Sequence, residues 1–154
     1  MEGRLTALKK IKPKKFMYIQ DGGTYTNEVL VAVDVTVEDI LRFTKGLNFS
    51  EDFPRRLRAT FENKDIKDAA GRTLFDQGRS ILYLCHWENT WEDYETLLHE
   101  CWHLVHHTLV VNKHMGMEDE AQAYQLEYWF HNIRERLDAH YGKAKRANFY
   151  KRSC

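Results

Sequence analysis

The sequence predicts an α+β fold in which a small, mostly antiparallel sheet packs on helices. Short apolar or β-branched runs separated by turn residues occupy much of the first 85 residues, and segments with helical spacing of apolar residues fill most of the rest. The chain has 154 residues, of which 43% are hydrophobic and 30% are charged. This length and composition are typical of one globular domain, so we expect a single domain over residues 1–154.

A β-hairpin and a short helix open the predicted domain. Residues 16–20 and 29–37 are apolar or β-branched and flank a turn that contains two glycines, which is the pattern of two hairpin strands. Thr36 can then cap a helix N-terminus, with Asp39 three residues later in a variant of the capping box. We therefore expect a helix at about residues 37–45.

A second helix and a second hairpin follow. Pro54 suits the first turn of a helix, and Leu57 and Phe61 recur on one face of it, so we expect a mostly exposed helix here. Residues 73–76 and 80–85 flank a Gln-Gly turn, and the second run is strongly apolar. These two runs predict a short hairpin whose second strand leads directly into the next helix.

Two long helices complete the predicted fold. Asn89 or Thr90 can cap a helix that runs to about Asn112, because acidic residues follow in its first turn. A short connection then leads to a helix over about residues 118–140, which we expect to return antiparallel to the first. The apolar arc predicted for the first of these two helices comprises Tyr94, Leu98, Cys101, Trp102, Val105 and Leu109.

The charge distribution gives little support to nucleic-acid binding. Lys and Arg together number 23, as do Asp and Glu, so the formal net charge is zero and no overall field attracts a polyanion. Basic residues concentrate in two tails, at about residues 1–15 and 142–154. We interpret these tails as solvated ends, with a contact to nucleic acid or to an acidic partner as the weaker alternative.

The sequence also predicts a compartment. No run approaches the roughly 18 apolar residues that cross a bilayer, and the N-terminal segment lacks the apolar stretch of a secretory signal. The three cysteines, Cys85, Cys101 and Cys154, are odd in number and irregularly spaced, unlike a disulfide framework. We therefore expect a cytoplasmic protein that does not enter membranes.

An H-E-x-x-H motif, His99-Glu100-Cys101-Trp102-His103, lies in the most strongly helical segment. Two imidazoles at positions i and i+4 lie on the same face of a helix and can bind one ion. Glu100 lies about 100° round the helix from His99, so it can reach a water on that ion and act as general base. The sequence predicts a Zn²⁺ site with His99 and His103 as ligands and Glu100 as the catalytic residue. The alternative is a partly buried histidine pair without metal.

A third metal ligand has to come from another part of the chain. Glu120, 17 residues after His103, is the best candidate, because its helix is expected to return beside the motif with the carboxylate next to an apolar face. The acidic residues here also suit a helix N-terminus without any metal. The alternatives to Glu120 are Glu127, Glu118, Asp119, or no protein ligand.

His106 does not suit the same ion. On a straight helix it lies about 10 Å along the axis from His99, too far to share one tetrahedral site. We therefore expect His106 and His107 to support the site indirectly, to lie at the surface or to face a partner. Peptide hydrolysis also needs a donor for the developing oxyanion. The side chains of suitable type are those of Tyr124, Tyr128, His114 and His131.

The segment LLHECWH, followed after a short connection by EDEAQAYQLEYWF, resembles the compact gluzincin-like metallopeptidases, including the ImmA/IrrE type and the small HExxH proteins of bacteriophages. The resemblance covers about residues 79–137. It implies a compact zincin-like fold, a Zn²⁺ ion and a third ligand from a Glu-Ala helix motif, which corresponds to Glu120-Ala121. It also implies that the strand before the metal helix, Ser80 to Cys85, is a sheet edge that aligns an extended substrate. For a phage-encoded member, the compartment would be the host cytoplasm.

Two functions are consistent with these residues. The first is a zinc-dependent metallopeptidase in which an activated water attacks a peptide carbonyl of a specific protein substrate. The second is a metal-stabilised binding module that engages a protein partner, such as a host protein, without cutting it. The two differ in whether Glu100 is needed for function.

Overall fold

The computed structural model describes residues 15–25, 27–63, 69–112 and 119–142. Its elements are, in chain order, the strand β1 (Phe16–Gln20), a 3-10 turn (Gly23–Tyr25), the strand β2 (Glu28–Val33), the helices α1 (Val37–Phe43) and α2 (Phe53–Glu62), the strands β3 (Gly71–Asp76) and β4 (Arg79–Leu84), the helix α3 (Trp91–Val105), a π-helical segment (His106–Asn112) and the helix α4 (Asp119–Tyr141). The predicted mixed α+β class is confirmed. The predicted basic tails lie almost wholly outside the described residues.

The four strands form one sheet in the order β1-β2-β4-β3. The β1/β2 and β3/β4 pairs are antiparallel hairpins, and β2 pairs with β4 in parallel. Two of the three pairings are therefore antiparallel, as predicted. The expectation that Ser80 to Cys85 forms a sheet edge is wrong, because β4 has a neighbour on each side. The edge strand next to it is β3.

Helices cover the sheet on both faces. Strand β2 is buried along its length from Val29 to Val33, since it has a strand on each side and a helical layer on each face. One core lies on the side of α1 and α2 and comprises Leu30, Ala32, Val35, Ile40, Phe53, Leu57 and Ile81. The other lies on the side of α3 and α4 and comprises Tyr18, Val29, Val31, Val33, Leu82, Leu84, Trp87, Leu97, Cys101, Leu104, Val105, Leu109, Trp129, Ile133 and Leu137.

Threonine capping boxes begin α1 and α3. The side chain of Thr36 accepts a hydrogen bond from the backbone N–H of Asp39, and the carboxylate of Asp39 accepts one from the backbone N–H of Thr36. Thr90 and Asp93 make the same reciprocal pair. These bonds satisfy N–H groups that have no partner within the first turn, which is why α1 and α3 begin where the sequence predicted.

The helices α3 and α4 pack on each other and run antiparallel, as expected. The side-chain amide of Asn89, just before α3, donates to the backbone carbonyl of Gly142, just after α4. The start of one helix therefore lies beside the end of the other. Asn89 makes this contact with a positive φ of 58°, a conformation that asparagine adopts more readily than most residues.

The region after the H-E-x-x-H motif is not a continuous α-helix, in contrast to the prediction. The α-helix ends at Val105, and the chain continues as a π-helix to Asn112. The wider turn leaves both Thr108 and Leu109 buried, and the Thr108 hydroxyl accepts a 2.9 Å hydrogen bond from the buried side chain of Asn27. Hydrophobic spacing in the sequence does not reveal such a change of pitch.

The apolar arc predicted for α3 is wrong in part. Leu98 and Trp102 are 45% and 41% exposed, whereas Leu97, Cys101 and Leu104 are fully buried. The buried face is turned towards the side of the helix that carries Glu100, because β3 covers that side. Among the described residues, no helix is both long and apolar enough to cross a membrane.

Candidate functional site

His99 and His103 project from α3 on its exposed side, one helical turn apart. Their Nε2 atoms are 3.0 Å apart, and their ring planes meet at 83°. Both residues are exposed to solvent. The two imidazoles therefore point to a common position at the surface of the helix, as their spacing predicts.

The separation of the two Nε2 atoms suits a shared cation. Two nitrogen ligands of a tetrahedral zinc ion, each at about 2.0–2.1 Å from it, lie about 3.3 Å apart. A separation of 3.0 Å differs from this by an amount that small rotations of the side chains remove. Without metal, the same distance suits a hydrogen bond in which one Nε2 carries the proton and the other accepts it.

Glu100 is buried although both histidines beside it are exposed. Its residue exposure is 5%, and its Oε2 accepts a 2.5 Å hydrogen bond from the hydroxyl of Thr73 on β3. A buried carboxylate needs such a donor, because removing an ionised group from water without a partner is costly. Thr73 is therefore part of the candidate site. Thr73 was not predicted from the sequence as a site residue, although its place in the alternation of β3 puts it on the face towards α3.

The backbone of β3 lies directly against the motif at Gly71. A Cβ atom added at Gly71 would lie 2.8 Å from the Cγ of Glu100 and 2.8 Å from the Cγ2 of Thr96. These distances are below ordinary van der Waals contact, so only glycine fits without a shift of the neighbouring side chains. The edge strand β3 therefore lies directly against the H-E-x-x-H helix at Glu100, and β4 packs on the same helix beside it.

The structure brings His99 and His103 together, but no third ligand joins them from the part of the chain that it describes. Among the described residues, no three His, Cys, Asp or Glu side chains form a group that could hold a metal ion. Glu120 lies in the first turn of α4 and is exposed, as is Glu127 farther along the same helix. Glu118 and the side chain of Asp119 lie outside the described part of the chain, and Glu120 stays a prediction.

The other histidines near the motif have separate environments. His106 is exposed, and the ring of His107 stacks on Phe75 of β3 with a centroid distance of 3.8 Å. Burial, and then the neighbouring His106, lowers the pKa of His107, so the neutral ring that stacks on Phe75 is favoured. Neither histidine joins the His99–His103 pair in a three-residue metal group within the described residues.

The residues considered as oxyanion donors are also separated. The hydroxyl of Tyr128 donates a 2.6 Å hydrogen bond to Asp21, and His131 lies 3.4 Å from the carboxylate of Glu135. Tyr124 is 58% exposed, and His114 lies outside the described residues. These contacts of Tyr128 and His131 are therefore with Asp21 and Glu135, and not with His99 or His103.

Comparisons of the chain with protein-family models, with curated proteins and with solved structures find no match.

Proposed function

We propose that this chain is a zinc-dependent metallopeptidase-like hydrolase in which His99 and His103 hold the ion and Glu100 is the catalytic residue. One observation carries the proposal: the Nε2 atoms of the two histidines converge to 3.0 Å on the exposed side of α3, next to a carboxylate that is fixed against a sheet edge. The resemblance to gluzincin-like metallopeptidases supports the same assignment. It also makes Glu120 the proposed third ligand.

The residues of the site have distinct roles in this proposal. A bound zinc ion polarises a carbonyl and lowers the pKa of water. With the ion held by His99 and His103, Glu100 would act as the general base that accepts the proton of the attacking water. The neutral forms of His99 and His103 supply the lone pairs on Nε2.

The surroundings of the pair suit an extended protein segment. Strand β3 is the last strand of the sheet on this side, so its outer edge can pair with the backbone of an added strand. Leu98 and Trp102 expose apolar surface on the other side of the histidines. We propose that the substrate lies along β3 and places an apolar side chain against Leu98 and Trp102.

Metal analysis tests the first half of the proposal. Purified protein dialysed against zinc should retain about one equivalent, and the variants His99→Ala and His103→Ala should each lose it. Glu120→Ala should also lose zinc if it is the third ligand, whereas the matched variant His106→Ala, an exposed histidine on the next turn, should keep it. Equal zinc content in wild type and His99→Ala would overturn the metal site.

Cleavage of a peptide library tests the second half. A proteome-derived peptide library is incubated with zinc-loaded protein, and new termini are identified by mass spectrometry. Glu100→Gln should keep its zinc and lose cleavage by a factor of about 100 or more, in line with the contribution of a general base. Cleavage that survives in Glu100→Gln would exclude Glu100 as the catalytic residue.

One observation favours a second function, a metal-stabilised binding module without catalysis. The apolar surface of Leu98 and Trp102 beside the histidines suits a protein partner as well as a substrate. In that case Glu100→Gln would not change partner binding, and the paired substitution Leu98→Ser and Trp102→Ser would abolish it. Glu100→Gln should therefore remove the activity of a hydrolase, measured as cleavage, and leave the function of a binding module, measured as partner binding, unchanged.

A further inference from the structure

Cys85, His86 and Asp93 form a row at the end of β4, near the start of α3. The Sγ atom of Cys85 lies 2.9 Å from Nδ1 of His86, and Nε2 of the same ring lies 3.3 Å from Oδ1 of Asp93. Cys85 is half-buried and His86 is exposed. A thiol, an imidazole and a carboxylate therefore lie in a row in space, and each nitrogen of the imidazole ring faces one of the other two groups.

Asp93 is fixed in place by backbone donors. It is buried, and its Oδ2 accepts hydrogen bonds from the backbone N–H of Glu88 at 2.7 Å and of Thr90 at 3.1 Å. Its Oδ1 faces His86 and, as a carboxylate oxygen, can only accept a hydrogen bond. This arrangement places the ring proton of neutral His86 on Nε2 and leaves the lone pair of Nδ1 towards Cys85.

The arrangement differs from a metal site. The thiol and the carboxylate contact opposite nitrogens of one ring, so the three groups do not converge on one point, and the described residues contain no three-residue metal group. A nucleophile beside a base that is oriented by a third group is instead the pattern of an activated side chain.

We propose that Cys85 is a nucleophilic thiol that reacts with small disulfides, with His86 as its base and Asp93 as a positioning residue for His86. In this step the thiol proton moves to Nδ1 of His86, and the sulfur attacks one sulfur atom of the disulfide. The S–S bond of the reagent breaks, a new S–S bond forms at Cys85, and the second half leaves as a thiolate. The cysteine is oxidised, half of the reagent is reduced, and the imidazolium returns its proton to solvent.

Disulfide exchange suits this site better than acyl transfer. Acyl transfer develops an oxyanion and needs aligned N–H donors, but the N–H groups of Asp93 and Tyr94 at the start of α3 already have partners. The backbone N–H of Asp93 donates to the Thr90 hydroxyl, and that of Tyr94 donates to the Thr90 carbonyl. Thiol–disulfide exchange needs only a thiolate and a leaving thiol.

The charges around Cys85 make His86 necessary for this reactivity. Burial raises the pKa of the Cys85 thiol most, and Asp93 raises it further. The backbone N–H groups of Cys85 and His86 and the side chain of Arg72 on β3 lower it by less, so the pKa remains raised. On the remaining sides, Tyr83 on β4 and Asp34 after β2 are the titratable neighbours. Few thiolates are therefore present at neutral pH, and removal of the proton by His86 controls the rate.

The rate of reaction with dipyridyl disulfide tests the proposal. The protein carries Cys154→Ser, so that Cys85 and the fully buried Cys101 are its only thiols, and release of pyridine thione is followed by absorbance. The further variant Cys85→Ala should release none while folded. His86→Asn keeps a polar group near Sγ but cannot take a proton, and we expect it to react at least about 10-fold more slowly at neutral pH. Its rate should begin to rise only at a higher pH than that of the parent.

Asp93→Asn separates positioning from folding. The asparagine oxygen can still accept from the backbone N–H groups of Glu88 and Thr90, but its amide would donate to Nε2 of His86 and move the ring proton to Nδ1. We expect slower reaction at Cys85 with a small change in melting temperature. Equal rates and equal pH profiles in the parent, His86→Asn and Asp93→Asn would overturn the proposal. Because zinc analysis does not involve these residues, that result would leave the metal assignment intact.

Discussion

The hydroxyl of Thr73 donates a 2.5 Å hydrogen bond to the buried carboxylate of Glu100. This bond joins the edge strand of the sheet to the residue that follows the first histidine of the motif. It links the stability of the fold to the position of the proposed general base.

Removal of that bond should cost stability. Thr73→Val leaves the Glu100 carboxylate buried without its donor, so we expect a loss of about 1–3 kcal/mol in the free energy of unfolding, measured by urea titration. Thr60→Val is the control, because the Thr60 hydroxyl donates only to a carbonyl of its own helix. A double-mutant cycle with Glu100→Gln should show coupling between Thr73 and Glu100; additive effects would contradict the bond.

The close contact at Gly71 should not tolerate a methyl group. Gly71→Ala places a Cβ 2.8 Å from side-chain atoms of both Glu100 and Thr96, and we expect a loss of about 1–3 kcal/mol, as for other overpacked positions. Thr96→Ala removes one of the three obstructing atoms, the other two being Cγ and Oε1 of Glu100. In thermal denaturation the double variant should therefore lose less than the sum of the single variants, and strict additivity would argue against a steric cause.

The contact between Asp21 and Tyr128 should appear in the pH dependence of stability. The hydrogen bond from Tyr128 is the largest cause that lowers the pKa of Asp21 below its usual 3.8. A lowered carboxyl pKa stabilises the folded state above the unfolded pKa, and this contribution is lost as the pH falls through the folded pKa. The stability difference between wild type and Tyr128→Phe should therefore shrink between about pH 5 and pH 2.

The pH-dependent stability difference between wild type and Tyr128→Phe should be small, because Asp21 is exposed. We expect no more than about 0.5 kcal/mol, as for exposed ion pairs. Tyr124→Phe, one turn earlier on α4 and 58% exposed, is the control and should show no such change with pH. A pH-independent difference for Tyr128→Phe would mean that the Asp21 contact does not contribute.

Substitutions of Asn89 should separate its backbone conformation from its hydrogen bonds. Asn89→Ala removes the hydrogen bonds to Trp87 and Gly142. It also forces alanine into a backbone conformation with positive φ, which costs about 1 kcal/mol or more in folding free energy. Asn89→Gly removes the same contacts and adopts the conformation readily. We expect Asn89→Ala to have the lower melting temperature of the two; the reverse order would show that φ is not the limiting feature.

Zinc should stabilise the folded protein through the histidine pair. A ligand that binds only the folded state at 100 times its dissociation constant adds about 2.7 kcal/mol to the free energy of unfolding. Wild-type protein should therefore show a higher melting temperature with zinc than with a chelator, whereas the double variant His99→Ala and His103→Ala should not. An equal rise in both proteins would place zinc elsewhere on the chain.

Local features of the fold could be predicted from the sequence, and its non-local features could not. The capping residues Thr36 and Thr90 mark the helix starts because their bonds reach only three residues along the chain. The parallel pairing of β2 with β4 joins segments separated by two helices and a strand, so neither run carries a signal for it. The edge role was assigned to the wrong strand for this reason.

The candidate site shows the same division. The spacing of His99 and His103 fixes their common face, and the structure agrees. The burial of Glu100 depends on how closely β3 approaches, and the row of Cys85, His86 and Asp93 depends on a bend after β4. An adjacent Cys-His pair just before a capped helix was the only sequence signal for that row.

The π-helical segment after Val105 has a consequence for how this chain can vary. A π turn spans one more residue than an α turn, so residues 106–112 correspond to an α-helix with a single insertion. Deleting His106 would restore the ordinary pitch without altering any residue of the H-E-x-x-H motif. It would also change the direction in which Thr108 points relative to Asn27, its present hydrogen-bond partner. A one-residue insertion or deletion after Val105 can therefore change the packing of the next two turns and leave the histidine pair unchanged.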